Sequence, residues 1–430
     1  MSLLIQNALI AGPAEGLSGT LDLLLDHGVI AAAGEGLTAP GASIIDAKGL
    51  TVCAGLIDLH THLRDPGQTH KETLETGCRA AARGGFTSIA CMANTDPAID
   101  TPERLRTLRA RAAALGLVNL HPVGAVTRGL KGQELTDLEG LAEAGALAFS
   151  DDGQPLMRSD LLRQALRRTE ELNRPILSHC EDADLVRNYA VNEGPVSRVL
   201  EIPGRPAIAE ELMVQRDIML AAEAGAPLHI CHVSTKAAVE RIRQAKEQGL
   251  LVTCETCPHY FALTEQEILT CGSMARVNPP LRTPEDMAAI LTGLRDGTID
   301  AIATDHAPHS AEEKALPLTE APSGISGLET ALAVSLTALY HSGLMSLDAV
   351  LSKLTVEPAA ILGLQRGCLA VGEAADLILF DPNEAWIVEP DEFLSLGHNT
   401  PFADHTLKGR VKLTVMGGNI TWKEAYIHVR

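Results

Sequence analysis

Positive charge is in short supply in this chain of 430 residues. Lysine and arginine number 35 against 55 aspartates and glutamates, which gives a formal net charge of −20 at pH 7. A chain with this balance repels phosphate backbones and anionic lipid surfaces, so neither nucleic acid nor a membrane is an expected partner. We expect a small-molecule ligand instead, and an anionic one would need a local basic clamp.

Long apolar runs are also missing. No stretch is apolar over the roughly 20 residues that a bilayer crossing requires, and residues 1–7 have neither the basic region nor the cleavage site of a signal peptide. The composition, with 46% hydrophobic and 21% charged residues, is that of a globular protein with room for one large domain and a smaller one. The sequence therefore predicts a cytoplasmic protein.

A disulfide framework is the third absence. The 9 cysteines are an odd number and are scattered, so buried and reduced thiols are the default interpretation. Cys254 and Cys257 form a C-x-x-C, but without a second pair a zinc knuckle or redox role is a weak alternative. Cys180 and Cys231 adjoin candidate ligand histidines. Because neighbours on a strand point to opposite faces, we expect these two cysteines to be wall residues rather than ligands.

Short strands separated by glycine-rich turns are present at both ends of the chain. They are predicted at 3–10, 21–26, 29–33 and 43–46, and again at 375–381, 410–416 and 419–422. Neither end holds enough strands for a stable sheet of its own. We therefore expect residues 1–54 and 365–430 to combine into one small β-sandwich.

Between the two ends, residues 55–364 alternate strand and helix, which makes the chain an α/β protein. Strands are predicted at 55–60, 87–92, 118–124, 146–150, 175–179, 227–233, 251–255 and 299–304, with helices that include 158–172, 209–224 and 235–248. Eight such alternations fit a (β/α)8 TIM-like barrel, whose active site lies at the C-terminal ends of the strands. An open doubly wound sheet is the alternative, but it would concentrate polar residues at one switch point.

Histidines and aspartates follow several of these strands. His60 and His62 are spaced i and i+2, so they share one face of the first strand. Further candidates follow the fourth, fifth, sixth and eighth strands, namely Asp151, Asp152, His179, His232 and Asp305. His229 precedes His232 by three residues and should face the other side as a satisfied core residue. The set exceeds the roughly three protein ligands of one catalytic zinc and suits two metals about 3.5–4 Å apart that share a carboxylate.

This ordered set resembles the amidohydrolase superfamily and, within it, the bacterial type I dihydroorotases. The similarity covers nearly the whole chain and includes Arg64 directly after the His-x-His pair, together with the stretches 91–95, 231–235, 277–282 and 305–314. The resemblance implies reversible zinc-dependent cyclisation of N-carbamoyl-L-aspartate to (S)-dihydroorotate plus water, the third step of de novo UMP biosynthesis.

The resemblance also implies a metal centre of two Zn2+ per chain, bridged by a carboxylate and by the hydroxide that attacks the cyclic amide. The implied ligands are His60, His62 and Asp305 on one ion, His179 and His232 on the other, and Asp152 as the bridge. Many superfamily members use a carboxylated lysine as the bridge, but no lysine lies between Lys131 and Lys236. Asp152 is preferred over Asp151 because its position matches the family's ligand.

Substrate contacts follow from the same resemblance. Asp305 is the implied catalytic residue, which takes the proton of the hydroxide and hands it to the leaving nitrogen. The implied substrate-binding residues are His62, Arg64, Asn94, Asn278, His309, Ser323 and Gly324, of which Arg64, Asn94 and His309 hold the carboxylate. A structural ion pair of Arg64 with Asp65 or Glu72 is the alternative for the arginine. Residues 310–323 are predicted to form a loop over the mouth of the site.

Two other functions compete with this interpretation. A hydantoinase-like or allantoinase-like cyclic amidohydrolase is disfavoured by the absent lysine. A non-catalytic dihydroorotase-like subunit that scaffolds aspartate transcarbamoylase is disfavoured because no metal ligand has been lost. The sequence leaves open whether the chain forms a homo-oligomer and whether aspartate transcarbamoylase is a partner.

Overall fold

The computed structural model describes residues 2–187 and 189–430. Its strands are β1 (Leu3–Ile10), β2 (Thr20–Asp26), β3 (Val29–Gly34), β4 (Ser43–Asp46), β5 (Thr51–Ala54), β6 (Leu56–Thr61), β7 (Phe86–Cys91), β8 (Asn119–Pro122), β9 (Ile176–Ser178), β10 (Val191–Asn192), β11 (Gly204–Arg205), β12 (Leu228–Ile230), β13 (Val252–Thr256), β14 (Ala301–Ile302), β15 (Leu377–Ile387), β16 (Thr406–Met416) and β17 (Asn419–Lys423).

The α-helices are α1 (Leu74–Arg83), α2 (Pro102–Leu115), α3 (Leu138–Glu143), α4 (Ser159–Glu171), α5 (Ala183–Val186), α6 (Pro195–Val199), α7 (Ile208–Ala224), α8 (Lys236–Glu247), α9 (Pro258–Ala262), α10 (Glu267–Cys271), α11 (Pro284–Asp296), α12 (Ala311–Lys314), α13 (Ala331–Ser335), α14 (Leu347–Ser352) and α15 (Val356–Leu362). The predicted helices 158–172, 209–224 and 235–248 correspond to α4, α7 and α8 within one residue at each end. Among the described residues, none of the helices combines the length and apolarity that a bilayer crossing requires.

Both ends of the chain contribute to one sheet. Its strands run β17-β16-β15-β5-β1-β2-β3, and β4 pairs with β1. The join lies where β15 pairs antiparallel with β5, over four residues from Leu377 opposite Ala54 to Phe380 opposite Thr51. Alternating apolar residues of these strands, such as Leu23, Leu25 and Leu413, pack into a common core. The sheet thus ties the first residues of the chain to the last.

The central region contains two larger parallel sheets, β6-β7-β8 and β9-β12-β13-β14, and a short parallel pair, β10-β11. Every residue of β6 and β7 is buried, as expected for parallel strands that are covered on both faces. Single bridges link the sheets, because Phe149 pairs with Gly124 on one side and Ile176 on the other, and Thr61 pairs with His306. The C-terminal ends of the central strands therefore lie at one edge.

The fourth predicted central strand differs from the prediction. Residues 146–150 form only isolated bridges at Phe149 rather than a regular strand. The segment makes two backbone hydrogen bonds with Gly124 and two with the start of β9. The chain then turns at Asp151, whose side chain accepts backbone hydrogen bonds from residues 126 and 127, so the ladder stops there. The position is nonetheless that of a strand between β8 and β9.

Candidate active site

His60 and His62 stand at the C-terminal end of β6, with ring centroids 5.2 Å apart. Both rings are buried. Their Nε2 atoms face Asp305, at 3.6 Å for His60 and 3.1 Å for His62. Asp305 follows β14, the last strand of the central sheets, and the Thr61–His306 bridge brings that segment beside β6. Pairing of these two strand ends therefore assembles two imidazoles and one carboxylate.

Asp152 lies at the centre of the histidine cluster. Its Oδ1 is 3.4 Å from His60 Nε2, 3.3 Å from His179 Nδ1 and 3.5 Å from His232 Nε2, and its Oδ2 is 3.4 Å from His62 Nε2. His179 Nδ1 and His232 Nε2 are 2.8 Å apart. Two imidazole nitrogens approach this closely only when one carries a proton or a cation lies beside them. The predicted ligands are thus brought together around one carboxylate.

The donor set fits a metal. His60 Nε2 and Asp152 Oδ1 are buried without a hydrogen-bond partner among the described residues. Buried polar atoms rarely lack a partner, and imidazole with carboxylate is a common ligand chemistry for transition metals. The donor atoms form two overlapping groups, and within each group all atoms lie within 4.8 Å of one another. The first group is His60, His62 and Asp305, and the second is His60, Asp152 and His232. The cluster is therefore a candidate metal centre.

Electrostatics in the cluster point the same way. Burial favours a neutral Asp152, but His60, His179 and His232 hold the pKa of its carboxyl well below the usual range. Burial likewise opposes ionisation of Asp305, and His60 and His62 lower the pKa of that carboxyl. Burial would lower the pKa of His179, yet the carboxylates of Asp152 and Glu181 raise it to about 10. The two buried carboxylates thus require positive charge nearby. Metal ions bound by neutral imidazoles would supply it.

Asp151 points away from the cluster. Its Oδ1 accepts hydrogen bonds from the backbone N–H groups of Val126 and Thr127 at 2.8 and 3.0 Å, and its Oδ2 accepts one from the Thr127 hydroxyl. These bonds fix the loop that follows β8. Neighbouring residues of an extended segment face opposite sides, so Asp152 faces the histidines.

Two carboxylates orient the histidines from behind, and the sequence interpretation missed both roles. Glu255 Oε1 lies 2.8 Å from His60 Nδ1, which turns the Nε2 atom of His60 towards Asp152. Burial would raise the pKa of Glu255, but His229 and His60 lower it to about 2, so it is a carboxylate. Glu181 Oε2 lies 3.5 Å from His179 Nε2. Both follow the rule that ligand histidines bind a second group through their other nitrogen.

His229 is a satisfied core residue, as predicted. Its Nδ1 is 2.9 Å from Thr253 Oγ1 and its Nε2 is 3.2 Å from Glu255 Oε2. Cys231 is closer to the cluster than strand alternation suggested, because its Sγ lies within 4.8 Å of donor atoms of His60 and Glu255. Burial raises the pKa of the Cys231 thiol, so it stays protonated beside the cluster.

The backbone around the cluster is strained. Arg64, His232 and Asp305 have φ values of 59°, 36° and 47°, in the left-handed region that costs non-glycine residues about 1–2 kcal/mol each. Asp58 helps to hold this geometry, since its carboxylate accepts from His60 N at 3.0 Å and from Thr304 N and Oγ1 at 3.1 and 2.6 Å. Such strain is typical of functional sites.

The cluster opens into a cleft of about 180 Å³. Its lining residues are His62, Arg64, Asn94, Asp152, Gly153, His179, His232, Asn278, Asp305, Ala307, Ser323 and Gly324. The cleft thus brings together the residues named from the sequence, apart from two. His60 is fully buried beneath it, and His309 stands at its rim with Nε2 2.9 Å from the carbonyl oxygen of Ser323.

Arg64 has no carboxylate within 4 Å among the described residues, and its Nε donates to the carbonyl oxygen of Pro308 at 3.3 Å. The ion-pair alternative fails because Asp65 binds Arg111 through two hydrogen bonds of 2.8 Å. Glu72 instead lies 3.3 Å from His306. The guanidinium is therefore available for an anion in the cleft.

Asn278 is held in place by two charged residues. Its Oδ1 accepts a hydrogen bond from Arg205, and its Nδ2 lies 3.3 Å from Glu181 Oε2. Arg205 Nη1 and Glu181 Oε1 are themselves 2.7 Å apart. Asn94 is held similarly, with Oδ1 2.9 Å from His62 Nδ1. Both amides thus face the cleft in fixed orientations.

The segment 310–323 is more structured than the predicted loop. It begins with one helical turn, α12, at which the Ser310 hydroxyl accepts from Glu313 N at 3.3 Å. Lys314 is buried, and its Nζ donates to the carbonyl oxygens of Pro322 at 3.0 Å and Gly324 at 3.2 Å. This lysine fastens the far end of the segment, which carries part of the cleft wall.

Comparisons with known proteins agree with this geometry. A family model described as dihydro-orotase-like matches residues 49–238. The dihydroorotase of Pelobacter propionicus is 46% identical over 424 residues, 98% of this chain and 100% of the relative. That of Syntrophus aciditrophicus is 47% identical over 426 residues, 99% of this chain and 100% of the relative.

Solved structures share the fold at lower identity. The L-hydantoinase (dihydropyrimidinase) of Arthrobacter aurescens has a TM-score of 0.87 and 26% identity, covering 100% of this chain and 97% of that one. The dihydropyrimidinase of Brevibacillus agri has a TM-score of 0.85 and 25% identity, covering 100% and 96%. Because relatives nearly half identical to it match over almost its whole length, this chain belongs to the dihydroorotase family of cyclic amide hydrolases.

Proposed function

We propose that this chain catalyses the dihydroorotase reaction, the reversible cyclisation of N-carbamoyl-L-aspartate to (S)-dihydroorotate plus water in pyrimidine biosynthesis. The observation that carries the proposal is the cleft itself, in which a carboxylate surrounded by four imidazoles lies beside Arg64, an arginine that forms no ion pair within the described part of the chain. The relatives described as dihydroorotases support the substrate.

The scaffold would be a closed (β/α)8 barrel of residues 55–364, with residues 1–54 and 365–430 forming the β-sandwich. Support comes from the bridges of Phe149, which link β8 to β9, and from the Thr61–His306 bridge, which links the last strand region to the first. The hydantoinase-like neighbours cover the whole chain, which also supports this arrangement. Catalytic residues at the C-terminal strand ends are the usual arrangement of such barrels.

The metal centre would hold two Zn2+ ions. The ligands would be His60, His62 and Asp305 for one ion, His179 and His232 for the other, and Asp152 as the bridge. Support comes from the two overlapping donor groups and from the unpartnered atoms of His60 and Asp152. When bound, two Zn2+ ions would polarise the amide carbonyl and lower the pKa of water towards neutrality.

Asp305 would move the proton. In the hydrolytic direction its carboxylate takes a proton from the attacking water and delivers it to the departing ring nitrogen, and ring closure reverses these transfers. Support comes from its place in the cleft wall, where a substrate in the cleft would lie beside it.

The substrate carboxylate would be held by Arg64, Asn94 and His309. Arg64 provides the positive charge that an anionic substrate needs in a chain whose formal net charge is −20. Asn278 would contact the ring, and the backbone at Ser323 and Gly324 would cover it. The fixed orientations of both asparagines support a site that recognises one substrate shape.

Substrate selectivity tests this proposal. A buried guanidinium left unpaired costs several kcal/mol, so a site built for a carboxylate should reject dihydrouracil and simple hydantoins. We expect turnover of dihydroorotate to exceed that of dihydrouracil by about 10³-fold or more under the same conditions. Equal turnover of the two would reassign the chain to the hydantoinase-like class, which the solved neighbours otherwise support through fold alone.

A further inference from the structure

Two cations flank the ring of His309, one at each nitrogen. Arg64 Nη2 lies 3.4 Å from Nε2, and Lys71 Nζ lies 3.4 Å from Nδ1. One carboxylate is nearby, since Glu313 Oε1 is 3.0 Å from Lys71 Nζ and Glu313 Oε2 is 3.5 Å from His309 Nδ1. The His309 ring is buried, so these neighbours rather than solvent determine its protonation. Lys71 has no role in the proposed reaction.

The hydrogen bonds select one tautomer of His309. Nε2 is 2.9 Å from the carbonyl oxygen of Ser323, which can only accept, and 3.4 Å from the Arg64 Nη2 donor. The shorter contact favours the form in which Nε2 carries hydrogen. Nδ1 then presents a lone pair to the ammonium of Lys71. The other tautomer would place a bare Nε2 2.9 Å from that carbonyl oxygen and would turn Nδ1–H towards the Lys71 ammonium at 3.4 Å, so that a lone pair faces a lone pair and a donor faces a donor. Lys71 therefore sits where it favours the Nε2–H form.

The same surroundings keep the ring uncharged. Burial, then the positive charges of Arg64 and Lys71, hold the pKa of His309 far below its usual range, and Lys314 acts in the same direction. Glu313 is the one acidic group that faces the ring among the described residues, and Lys71 lies between its Oε1 and the imidazole. A histidine with ordinary surroundings would instead change charge between about pH 5 and 8.

We propose that Lys71 is a positioning residue for the carboxylate clamp, holding His309 neutral and in the Nε2–H tautomer. The hydrogen that Nε2 donates to Ser323 O in this structure is thereby kept beside Arg64, where a substrate carboxylate can share it. This inference rests on the proposed function, because it is that function which assigns a carboxylate to Arg64 and His309. The clamp then has a constant charge, one cation and neutral donors, throughout the range in which an ordinary histidine titrates. Substrate affinity is thereby uncoupled from the protonation of His309.

The Lys71→Met variant tests the proposal, because it keeps the length of the side chain and removes the cation. With the Lys71 cation gone and Glu313 left facing the ring, the pKa of His309 should rise. The KM for dihydroorotate should then fall more between pH 8.5 and pH 5.5 than it does in the native enzyme, by up to about tenfold, as the clamp gains charge. Lys236→Met is the matched control, since Lys236 is exposed and pairs with Glu285 at the surface rather than with His309. Its KM profile should follow that of the native enzyme.

Two further variants separate charge from hydrogen bonding. Lys71→Gln keeps a donor for Nδ1 without the charge, so it should retain the tautomer and still show the new pH dependence. Glu313→Gln keeps Lys71, so its KM profile should remain flat. If Glu313→Gln behaved like Lys71→Met, the Lys71–Glu313 ion pair rather than the cation beside His309 would be responsible, and the proposal would be overturned.

Ring-nitrogen NMR gives a readout that needs no turnover. In 15N-labelled metal-loaded protein, with the His309 signals assigned by their loss in His309→Asn, Nε2 should carry hydrogen and Nδ1 should be bare from pH 5.5 to 8.5. The opposite tautomer, or protonation of the native ring within this range, would overturn the proposal. So would unchanged His309 signals in both Lys71 variants. Absence of dihydroorotase activity with these signals as expected would instead overturn the proposed function alone.

Discussion

Asp152 is the residue on which the cluster depends most, because its carboxylate lies 3.3–3.5 Å from a nitrogen of each of four histidines. Asp152→Ala should remove most of the activity and weaken the retention of at least one metal ion. Elemental analysis of protein purified without chelator, alongside turnover, provides the measurement. We expect about two metals per native chain.

Asp151→Asn is the matched control for that variant. It should lower stability by about 1–3 kcal/mol, because Asp151 holds the loop at residues 126 and 127, but it should keep the metals. Loss of metal in Asp151→Asn together with full retention in Asp152→Ala would show that the bridge has been assigned to the wrong aspartate.

Arg64 carries the second prediction at this scale. Removing a charged hydrogen-bond donor from a buried site costs about 2–3 kcal/mol of binding, so Arg64→Met should raise the KM for dihydroorotate about 30–150-fold with the metal content unchanged. Arg79→Met is the control, since Arg79 is exposed and pairs with Glu75 on helix α1. A KM for Arg64→Met within threefold of the native value would remove Arg64 from the clamp.

The candidate metal ligands and their order along the chain could be predicted from the sequence. The carboxylates that orient the ligand histidines could not. His60 and His62 are visible because a strand repeats every two residues. Glu255 is separated from His60 by 195 positions, and only the register between strands places their atoms 2.8 Å apart. The left-handed backbones of His232 and Asp305 also left no local signal, because glycine, the usual residue for such φ values, is absent there.

At the scale of elements, Lys314 decides how the segment 310–324 is held. Its buried ammonium donates to the carbonyl oxygens of Pro322 and Gly324, and Gly324 itself has φ 147° with Ala307 O only 2.4 Å from where a Cβ would stand. Lys314→Met should release this end of the segment. We expect a rise in KM of about tenfold and faster proteolysis between residues 315 and 322, since freed loop backbone is the usual target of nicking.

Lys236→Met provides the comparison for Lys314→Met. Lys236 is exposed and pairs with Glu285 at the surface, so both KM and proteolysis should stay at native values. If Lys314→Met and Lys236→Met had the same KM and the same cleavage rate, Lys314 would not be what fastens the segment.

Most elements were predictable because periodicity and turn residues define them locally. Helices α4, α7 and α8 match their predictions within a residue. The failures have a physical origin. Residues 146–150 have the apolar composition of a strand, but the turn imposed by Asp151 stops the ladder after two hydrogen bonds on each side. Strand β5 was not predicted, because it is continuous with β6 apart from Gly55.

For the whole molecule, the proposed reaction predicts that the equilibrium between substrate and product depends on pH. N-carbamoyl-L-aspartate carries two negative charges near neutrality and dihydroorotate one, so ring closure takes up a proton. The equilibrium ratio of dihydroorotate to N-carbamoyl-L-aspartate should therefore fall about tenfold per pH unit between pH 6 and 8. Chromatography of mixtures approached from both sides gives the ratio.

The equilibrium ratio also provides an internal control. Native enzyme and Lys71→Met must reach the same ratio at a given pH, because a catalyst changes rates and not equilibria. Asp152→Ala should approach it slowly or not at all. A ratio that did not change with pH would mean that the reaction observed is not opening of this ring.

The shared terminal sheet has a consequence for how the chain is made. Strand β5, buried along its whole length, has β1 on one side and β15 on the other, so its second edge stays unpaired until the C-terminal strands exist. A ribosome delivers the N-terminal strands first and β15 to β17 last. The N-terminal strands therefore keep an open apolar edge while residues 55–376 are made, and the emergence of β15, rather than that of the first strands, starts the last step in the folding of this sheet.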